Sequence, residues 1–256
     1  MPDFFAPCPR GLEAALADEL IHCGASQIRS LPGGVHFCGD WPVCYQANLE
    51  SRIATRILWR IGKGPYTREN DLYALARAVP WFDLFPLSRT FRVLTTAIRS
   101  PLKSIDFVTL RIKDAVCDRF RDRNGERPNV DTRNPDIRIH SFLTESECTL
   151  YIDTSGAPLW QRGLRQQSVE APLKENLAAG ILKLTGWHPG TPLYDPMCGS
   201  GTFLLEAAQM ALNRAPGLGR TFGFEKLTAF EAMPWAKLRA DAEARCLPAK
   251  PQAIFG

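Results

Sequence analysis

Apolar residues recur along this chain at two spacings, one typical of helices and one typical of strands. Leu12, Leu16 and Leu20 stand four positions apart and share one helical face. Ile137 and Ile139 alternate with polar neighbours, as in a half-buried strand. The pattern predicts helices at 9–23, 42–51, 70–79, 105–120, 172–184, 204–212 and 230–246. It predicts strands at 27–31, 35–38, 91–98, 137–139, 150–152, 193–195 and 253–256. Up to residue 155 this mixture is typical of an α+β fold.

One stretch combines a strand, a tight turn and a helix. The apolar pair Leu193-Tyr194 ends at Asp195, Gly199 and Gly201 follow, and helical spacing begins at Leu204. Glycines at such a turn adopt positive φ and let a ligand approach the backbone, while the new helix presents free N–H groups. The stretch is therefore a candidate nucleotide-like cofactor site.

Two familiar nucleotide-binding motifs do not fit this stretch. A P-loop needs a lysine and then Ser or Thr after the glycines, and no lysine follows Gly201. The dinucleotide fingerprint needs a third glycine where this chain has Leu204. A turn that binds nothing is the remaining alternative.

The composition is that of an ordinary globular protein. With 256 residues, 45% hydrophobic and 23% charged, the chain is long enough for two domains, or for one domain with an appendage. It has no apolar run near the roughly 18 residues of a membrane span, and its start resembles no secretory signal. We expect a cytoplasmic protein with no membrane partner.

The cysteines do not have the spacing of a metal site. There are eight, with four histidines, and no two form a Cys-x-x-Cys pair. We therefore expect no bound metal and reduced, mostly buried thiols. The cysteines are Cys8, Cys23, Cys38, Cys44, Cys117, Cys148, Cys198 and Cys246.

Positive charge is concentrated in the middle of the chain. The net charge is only +4, but 89–127 holds ten Lys and Arg against five acids. Such an excess indicates a polyanionic partner. A solvated helix face laced with ion pairs explains the same pattern equally well.

The sequence Asp-Pro-Met-Cys-Gly-Ser-Gly-Thr at 195–202 resembles the first motif of class I S-adenosylmethionine (SAM)-dependent methyltransferases, in the variant that methylates exocyclic amines of nucleic-acid bases. The resemblance implies a Rossmann-like α/β domain from about residue 190. It also implies that the glycine loop packs against SAM and that Asp195 orients the amino group of SAM. The implied cofactor residues are Asp195, Pro196, Cys198, Gly199, Ser200, Gly201 and Thr202.

The predicted order of strand, helix, strand and strand, with basic residues at 123–138, resembles the THUMP domain of RNA-modifying enzymes. The stretch 127–139 carries the resemblance best. THUMP domains follow a small ferredoxin-like domain, and A-form RNA is recognised mainly by shape and backbone contacts. The implied RNA-binding residues are Arg119, Arg121, Arg123, Arg127, Arg133 and Arg138, together with Arg162 and Arg165 of the next segment.

The segments 155–165 and 171–179 resemble the link between THUMP and catalytic domain in bacterial 23S ribosomal RNA guanine-N2-methyltransferases. Family members usually have Tyr where this chain has Leu164, so stacking of a base at that position is not expected. Leu173, Leu177, Ile181 and Leu184 are predicted to form the buried face of the helix. The resemblance places Lys174 and Glu175 on its other face near the cofactor, although a plain surface helix is an equal alternative.

Two parts of this family are absent from the sequence. The tetrapeptide Asn/Asp-Pro-Pro-Tyr/Phe does not occur, since the chain contains no Pro-Pro pair, and the given sequence ends at Gly256 before the acid that binds the ribose hydroxyls in this family. The resemblance implies an enzyme that methylates guanine N2 of 23S rRNA, either free or in an assembly precursor. We expect the 256-residue chain to contain the RNA-binding part and the first SAM motif of such an enzyme. We also expect the chain to be inactive alone. The alternative is a non-catalytic RNA-binding module. The predicted division is a ferredoxin-like segment at 1–43, THUMP at 44–155, a linker at 156–189 and a truncated SAM-binding domain at 190–256.

Overall fold

The computed structural model describes residues 1–163, 173–248 and 252–256. The chain divides into two compact units. Unit 1 comprises Met1–Ile57, Ala157–Arg220 and Glu231–Gly256, and unit 2 comprises Leu58–Gly156 and Thr221–Phe230.

The secondary structure alternates between short strands and helices. In chain order the elements are β1 (Asp3–Pro7), α1 (Glu13–His22), β2 (Ser26–Leu31), β3 (Gly34–Cys38), α2 (Trp41–Glu50), β4 (Leu58–Pro65), α3 (Glu69–Ala78), α4 (Trp81–Leu84), β5 (Phe91–Ala97), α5 (Ile105–Asn124), β6 (Ile137–Leu143), β7 (Glu147–Asp153), α6 (Glu175–Leu184), β8 (Leu193–Tyr194), α7 (Thr202–Ala211), a 3-10 turn (Gly223–Lys226), α8 (Ala232–Ala244) and β9 (Ile254–Phe255).

In unit 1, three antiparallel strands lie in the order β2-β3-β1. Phe4 of β1 lies opposite Phe37 of β3, and their rings stack with centroids 5.2 Å apart. Leu16 and Leu20 of α1 are fully buried. These elements confirm the predicted helix and hairpin. Strand β1 was not predicted, because three prolines in the first nine residues and an adjacent pair of phenylalanines obscure its alternation.

Helix α6 buries a different face from the predicted one. Its buried side includes Ala178, Ala179 and Leu182, whereas Leu184 is 64% exposed. The small residues allow close packing, since a Cβ at Gly180 would overlap the side chain of Leu12. The leucine spacing located the helix correctly but gave the wrong face. Glu175 is buried as well, so it does not share the exposed position of Lys174.

Strands β8 and β9 form a separate parallel pair in unit 1, with Leu193 opposite Ile254 and Tyr194 opposite Phe255. Helix α7 follows β8 and α8 precedes β9. This is the predicted beginning of a parallel α/β sheet, and the expected strand at 253–256 is confirmed.

Unit 2 contains four strands in the order β4-β7-β6-β5. Strands β5 and β6 are parallel and are joined through α5, whereas β7 is antiparallel to both β4 and β6. Helix α5 lies on β5, where the hydroxyls of Thr109 and Thr95 are 2.7 Å apart. The predicted order of strand, helix, strand and strand is confirmed.

An aromatic core fills unit 2. The rings of Phe85 and Phe120 are 5.2 Å apart, and Trp81 donates from its indole to the carbonyl of Ala76 at 2.7 Å. Trp81 begins the four-residue helix α4, which was not predicted because so short an element has no detectable period.

Candidate cofactor site and RNA-binding surface

The loop between β8 and α7 is built on two left-handed glycines. Gly199 has φ 53° and Gly201 has φ 71°. A Cβ added at either position would meet no atom within 4 Å. The requirement for glycine at both positions is therefore conformational, because other residues adopt this backbone region only with strain.

Helix α7 begins directly after this loop without a side-chain cap. Gly201 occupies the N-cap position and has no side chain with which to cap the first turn. The N–H groups of that turn are left for solvent or a ligand, and the helix dipole favours a negative group beside them. This arrangement fits a carboxylate such as the one that SAM carries.

Asp195 begins the loop at the end of β8. Its backbone N–H donates to the carbonyl of Phe255 at 2.9 Å, and its carboxylate accepts from the N–H of Met197 at 3.0 Å. The side chain is half-buried, whereas Tyr194 is 72% and Met197 is 89% exposed. An acidic group and large exposed apolar side chains therefore lie close together in sequence around the loop, as a ligand with charged and apolar parts requires.

The other predicted cofactor residues differ in their exposure. Pro196 is exposed, and Cys198 and Ser200 are half-buried. Thr202 is buried, with its hydroxyl 3.3 Å from that of Ser200. Within the loop, the hydroxyl of Thr202 is therefore engaged by that of Ser200.

The structure corrects the prediction that Arg162 contacts RNA. Its side chain is 2% exposed and its guanidinium forms an ion pair with Glu206 of α7. A second amino group of Arg162 donates to the carbonyl of Arg52 at 2.6 Å. Burial raises the pKa of Glu206, and the nearby Arg162 and Arg52 oppose that shift. Glu206 was not among the predicted site residues; its only signal in the sequence is a carboxylate on the same helical face as Thr202.

The basic end of α5 is largely paired within unit 2. Arg121 and Arg127 share one oxygen of Asp118 at 2.9 and 3.0 Å, and Tyr73 donates to the other oxygen at 2.8 Å. Two guanidinium groups on one carboxylate leave a positive excess, and both arginines are exposed. Their side chains are thus fixed in place while still carrying net charge.

The remaining predicted RNA-binding residues fall into three groups. Arg123 lies 3.8 Å from the ring centroid of Phe82, and Arg119 lies 5.5 Å from the same centroid. Arg133 is exposed and Arg138 is half-buried. Arg165, like Leu164, lies outside the described residues.

Within the described ranges, no group of three or more His, Cys, Asp or Glu side chains is placed to hold a metal ion. Over the same residues, no helix has the length and apolar character needed to cross a membrane. All eight cysteines are free thiols, and five of them are buried, which confirms the predicted burial of most of them. Burial raises the pKa of Cys8, Cys23 and Cys148 to about 12.

Three family models match consecutive parts of the chain. The RlmL ferredoxin-like domain matches 3–58, the THUMP domain matches 66–153, and the RMKL-like methyltransferase domain matches 162–256. The chain belongs to the THUMP-containing, RlmL-like methyltransferases. The ferredoxin-like, THUMP and Rossmann-like methyltransferase parts predicted from the sequence are confirmed.

Solved structures of methylases in this group are similar over nearly the whole chain. A Listeria monocytogenes protein described as an N6-adenine-specific DNA methylase is 34% identical with a TM-score of 0.88, covering 99% of this chain. A Clostridium difficile methylase is 31% identical with a TM-score of 0.87, covering 96% of this chain. A methyltransferase, SMU.472, complexed with S-adenosylhomocysteine (SAH), is 30% identical with a TM-score of 0.87 and also covers 96% of this chain. The chain spans 66%, 65% and 65% of these three proteins, slightly less than two thirds. The predicted cofactor, SAM, agrees with the methyltransferase family and with the ligand of the third structure.

Proposed function

We propose that this protein is a SAM-dependent RNA methyltransferase that modifies guanine N2 of 23S rRNA. The observation that carries the proposal is the loop after Asp195, where two left-handed glycines open an uncapped helix in a chain that also contains a THUMP domain. The RlmL-like ferredoxin and methyltransferase matches support the choice of ribosomal RNA.

The residues of the loop are proposed to hold the cofactor by distinct contacts. The N–H groups of the first turn of α7, beginning at Thr202, bind the carboxylate of SAM, and Asp195 accepts from its amino group. Ser200, Gly199 and the backbone around them shape the side of the site that receives the rest of the cofactor. When bound, SAM supplies an electrophilic methyl group on a sulfonium.

Unit 2 is proposed to bind the RNA. The exposed Arg121, Arg127 and Arg133 contact phosphates, while shape rather than base edges selects the substrate. The exocyclic amine of guanine is weakly nucleophilic because its lone pair conjugates with the ring. Catalysis must therefore depend on extruding the base and positioning the amine in line with the methyl group.

DNA adenine methylation is a second candidate, since the Listeria relative is described as a DNA methylase. The THUMP domain favours RNA over this candidate. A non-catalytic RNA-binding module is the third. The cytoplasmic location and the boundaries 1–43, 44–155, 156–189 and 190–256 remain predictions.

The deciding experiment incubates the full-length protein with methyl-labelled SAM and either 23S rRNA, assembling large-subunit precursors or duplex DNA. Nucleosides are then released and analysed by mass spectrometry. Labelled N2-methylguanosine from RNA is the expected product. Labelled N6-methyladenine from DNA would overturn the proposal in favour of the second candidate, and salt-sensitive RNA binding without transfer would favour the third.

A further inference from the structure

A largely buried cluster of three charged side chains contacts α7, the helix that follows the glycine loop, in unit 1. Glu206 is fully buried and follows Thr202 by four positions, so both lie on the same face of α7. Its partners are Arg162 and Arg52, which come from segments far away in the sequence. The cluster therefore joins the helix that carries the loop to two other parts of the unit.

Arg162 makes two contacts in this cluster. One amino group pairs with Oε2 of Glu206, and the other donates to the carbonyl of Arg52 at 2.6 Å. With its side chain 2% exposed, the planar guanidinium is held at both ends. Arg162 thus fixes α7 relative to the segment around Arg52.

Arg52 contacts both α7 and the segment that follows it. Its Nη1 lies 3.5 Å from Oε2 of Glu206, and its Nη2 donates to the carbonyl of Arg214, just past the end of the helix, at 2.5 Å. Arg52 therefore holds one buried position of α7 and the chain just past the end of the helix.

The backbone of Arg52 is itself anchored to α1. Glu19 accepts from the N–H groups of Arg52 and Ile53, both at 3.2 Å, and from the hydroxyl of Ser51 at 2.7 Å. Glu19 therefore fixes the backbone from which the Arg52 side chain reaches α7.

Burying these charged side chains costs desolvation free energy that apolar side chains would not cost. Oε1 of Glu206 and Nε of Arg162 are buried with no hydrogen-bond partner among the residues that the structure describes. Apolar side chains of similar size commonly stabilise a core as well as a buried ion pair does. What apolar contacts do not supply is direction, which ion pairs and hydrogen bonds impose on the groups that they join.

We propose that Arg162 and Arg52 are positioning residues that act through Glu206 to hold α7, and with it Gly201 and Thr202, in the orientation that binds SAM. This inference rests on the proposed function, because it explains what holds the same SAM site in its binding orientation. The glycine loop is conformationally free on its own, so its geometry depends on the helix that follows it.

The test measures SAM affinity by calorimetry, the separate KM values for SAM and RNA, and thermal stability in the full-length protein. Glu206→Gln keeps the shape but removes the charge, and we expect it to raise the SAM Kd at least tenfold while changing the KM for RNA less than twofold. Arg162→Lys keeps the positive charge but loses the planar guanidinium that contacts two groups at once. It should give a SAM Kd between those of the parent and Glu206→Gln. Glu243→Gln, which breaks the exposed ion pair with Arg239 on α8 of unit 1, is the matched control and should bind SAM like the parent.

A triple variant separates positioning from stability. Replacing Arg52 and Arg162 with Met and Glu206 with Leu removes every charge of the cluster and should restore the Tm relative to Glu206→Gln, yet leave the SAM Kd at least tenfold raised. Recovery of SAM affinity together with Tm would overturn the inference, as would parental affinity in Glu206→Gln. If the parent protein itself binds no SAM, the proposed function fails and this inference fails with it.

Discussion

The side-chain amide of Asn176 donates a hydrogen bond of 3.1 Å to the carbonyl of Ile53, 123 positions earlier in the chain. The same amide nitrogen lies 3.3 Å from the hydroxyl of Thr55. Asn176 is on α6, which leads into the cofactor loop, so the methyltransferase portion of unit 1 is built directly on the ferredoxin-like portion.

Replacing Asn176 with leucine should therefore destabilise unit 1. The carbonyl of Ile53 would lose its buried donor, at a cost of about 1–3 kcal/mol. Chemical unfolding of the two proteins measures the difference. Asn134→Leu, on an exposed loop, is the control and should change stability by no more than about 0.5 kcal/mol. Equal stability of Asn176→Leu and the parent would show that this link contributes nothing.

Valine at Gly201 should abolish SAM binding in the full-length protein. The φ of 71° strains a β-branched residue, and its side chain would stand where the cofactor meets the loop. We expect a loss of affinity of at least a hundredfold by calorimetry. Gly186→Val introduces comparable backbone strain at φ 74° beyond the end of α6, and it should leave SAM affinity within about threefold of the parent. Similar losses in both variants would assign the effect to general destabilisation.

Replacing Arg121, Arg127 and Arg133 with glutamine in one variant should weaken RNA binding. These guanidinium groups are exposed on unit 2, and removing each one from a phosphate should lower the slope of log K against log salt by roughly 0.7–0.9. Filter binding of a 23S rRNA fragment over a range of salt concentrations measures both effects. Arg239→Gln, on the exposed surface of α8, is the matched control. An unchanged salt slope in the triple variant would place the RNA on another surface.

Asp71 should stabilise unit 2 near neutral pH and should lose this effect in acid. Backbone N–H groups of Thr67 and Arg68 donate to its carboxylate and hold the pKa of Asp71 at about 2, below its usual value of 3.8. Because the folded-state pKa is the lower one, this stabilisation is complete above the unfolded-state pKa. It is lost as the pH falls from about 4 to about 2. The Tm difference between the parent and Asp71→Ala should therefore shrink across that window, and a difference independent of pH would contradict the assignment.

Local signals in the sequence predicted the elements that depend on nearby residues. The glycine loop could be located because its motif is contiguous and because positive φ at Gly199 and Gly201 restricts the residue type at those positions. Helix α5 was predicted from apolar periodicity along its length, and strands β6 and β7 were located by the shorter alternations at Ile137 and Ile139 and at Leu150 and Ile152.

Long-range packing decided the rest. The spacing of Leu177 and Ile181 located α6, but only the fit of Gly180 against Leu12 determined which face is buried. Arg162 has the charge expected of an RNA-binding residue, and only the tertiary structure pairs it with Glu206, 44 positions away. Sequence by itself determined the chemistry that each segment offers, because motifs and periods are local. The tertiary structure decided which charges meet solvent and which support the site, because burial and ion pairing depend on residues that are distant in the chain.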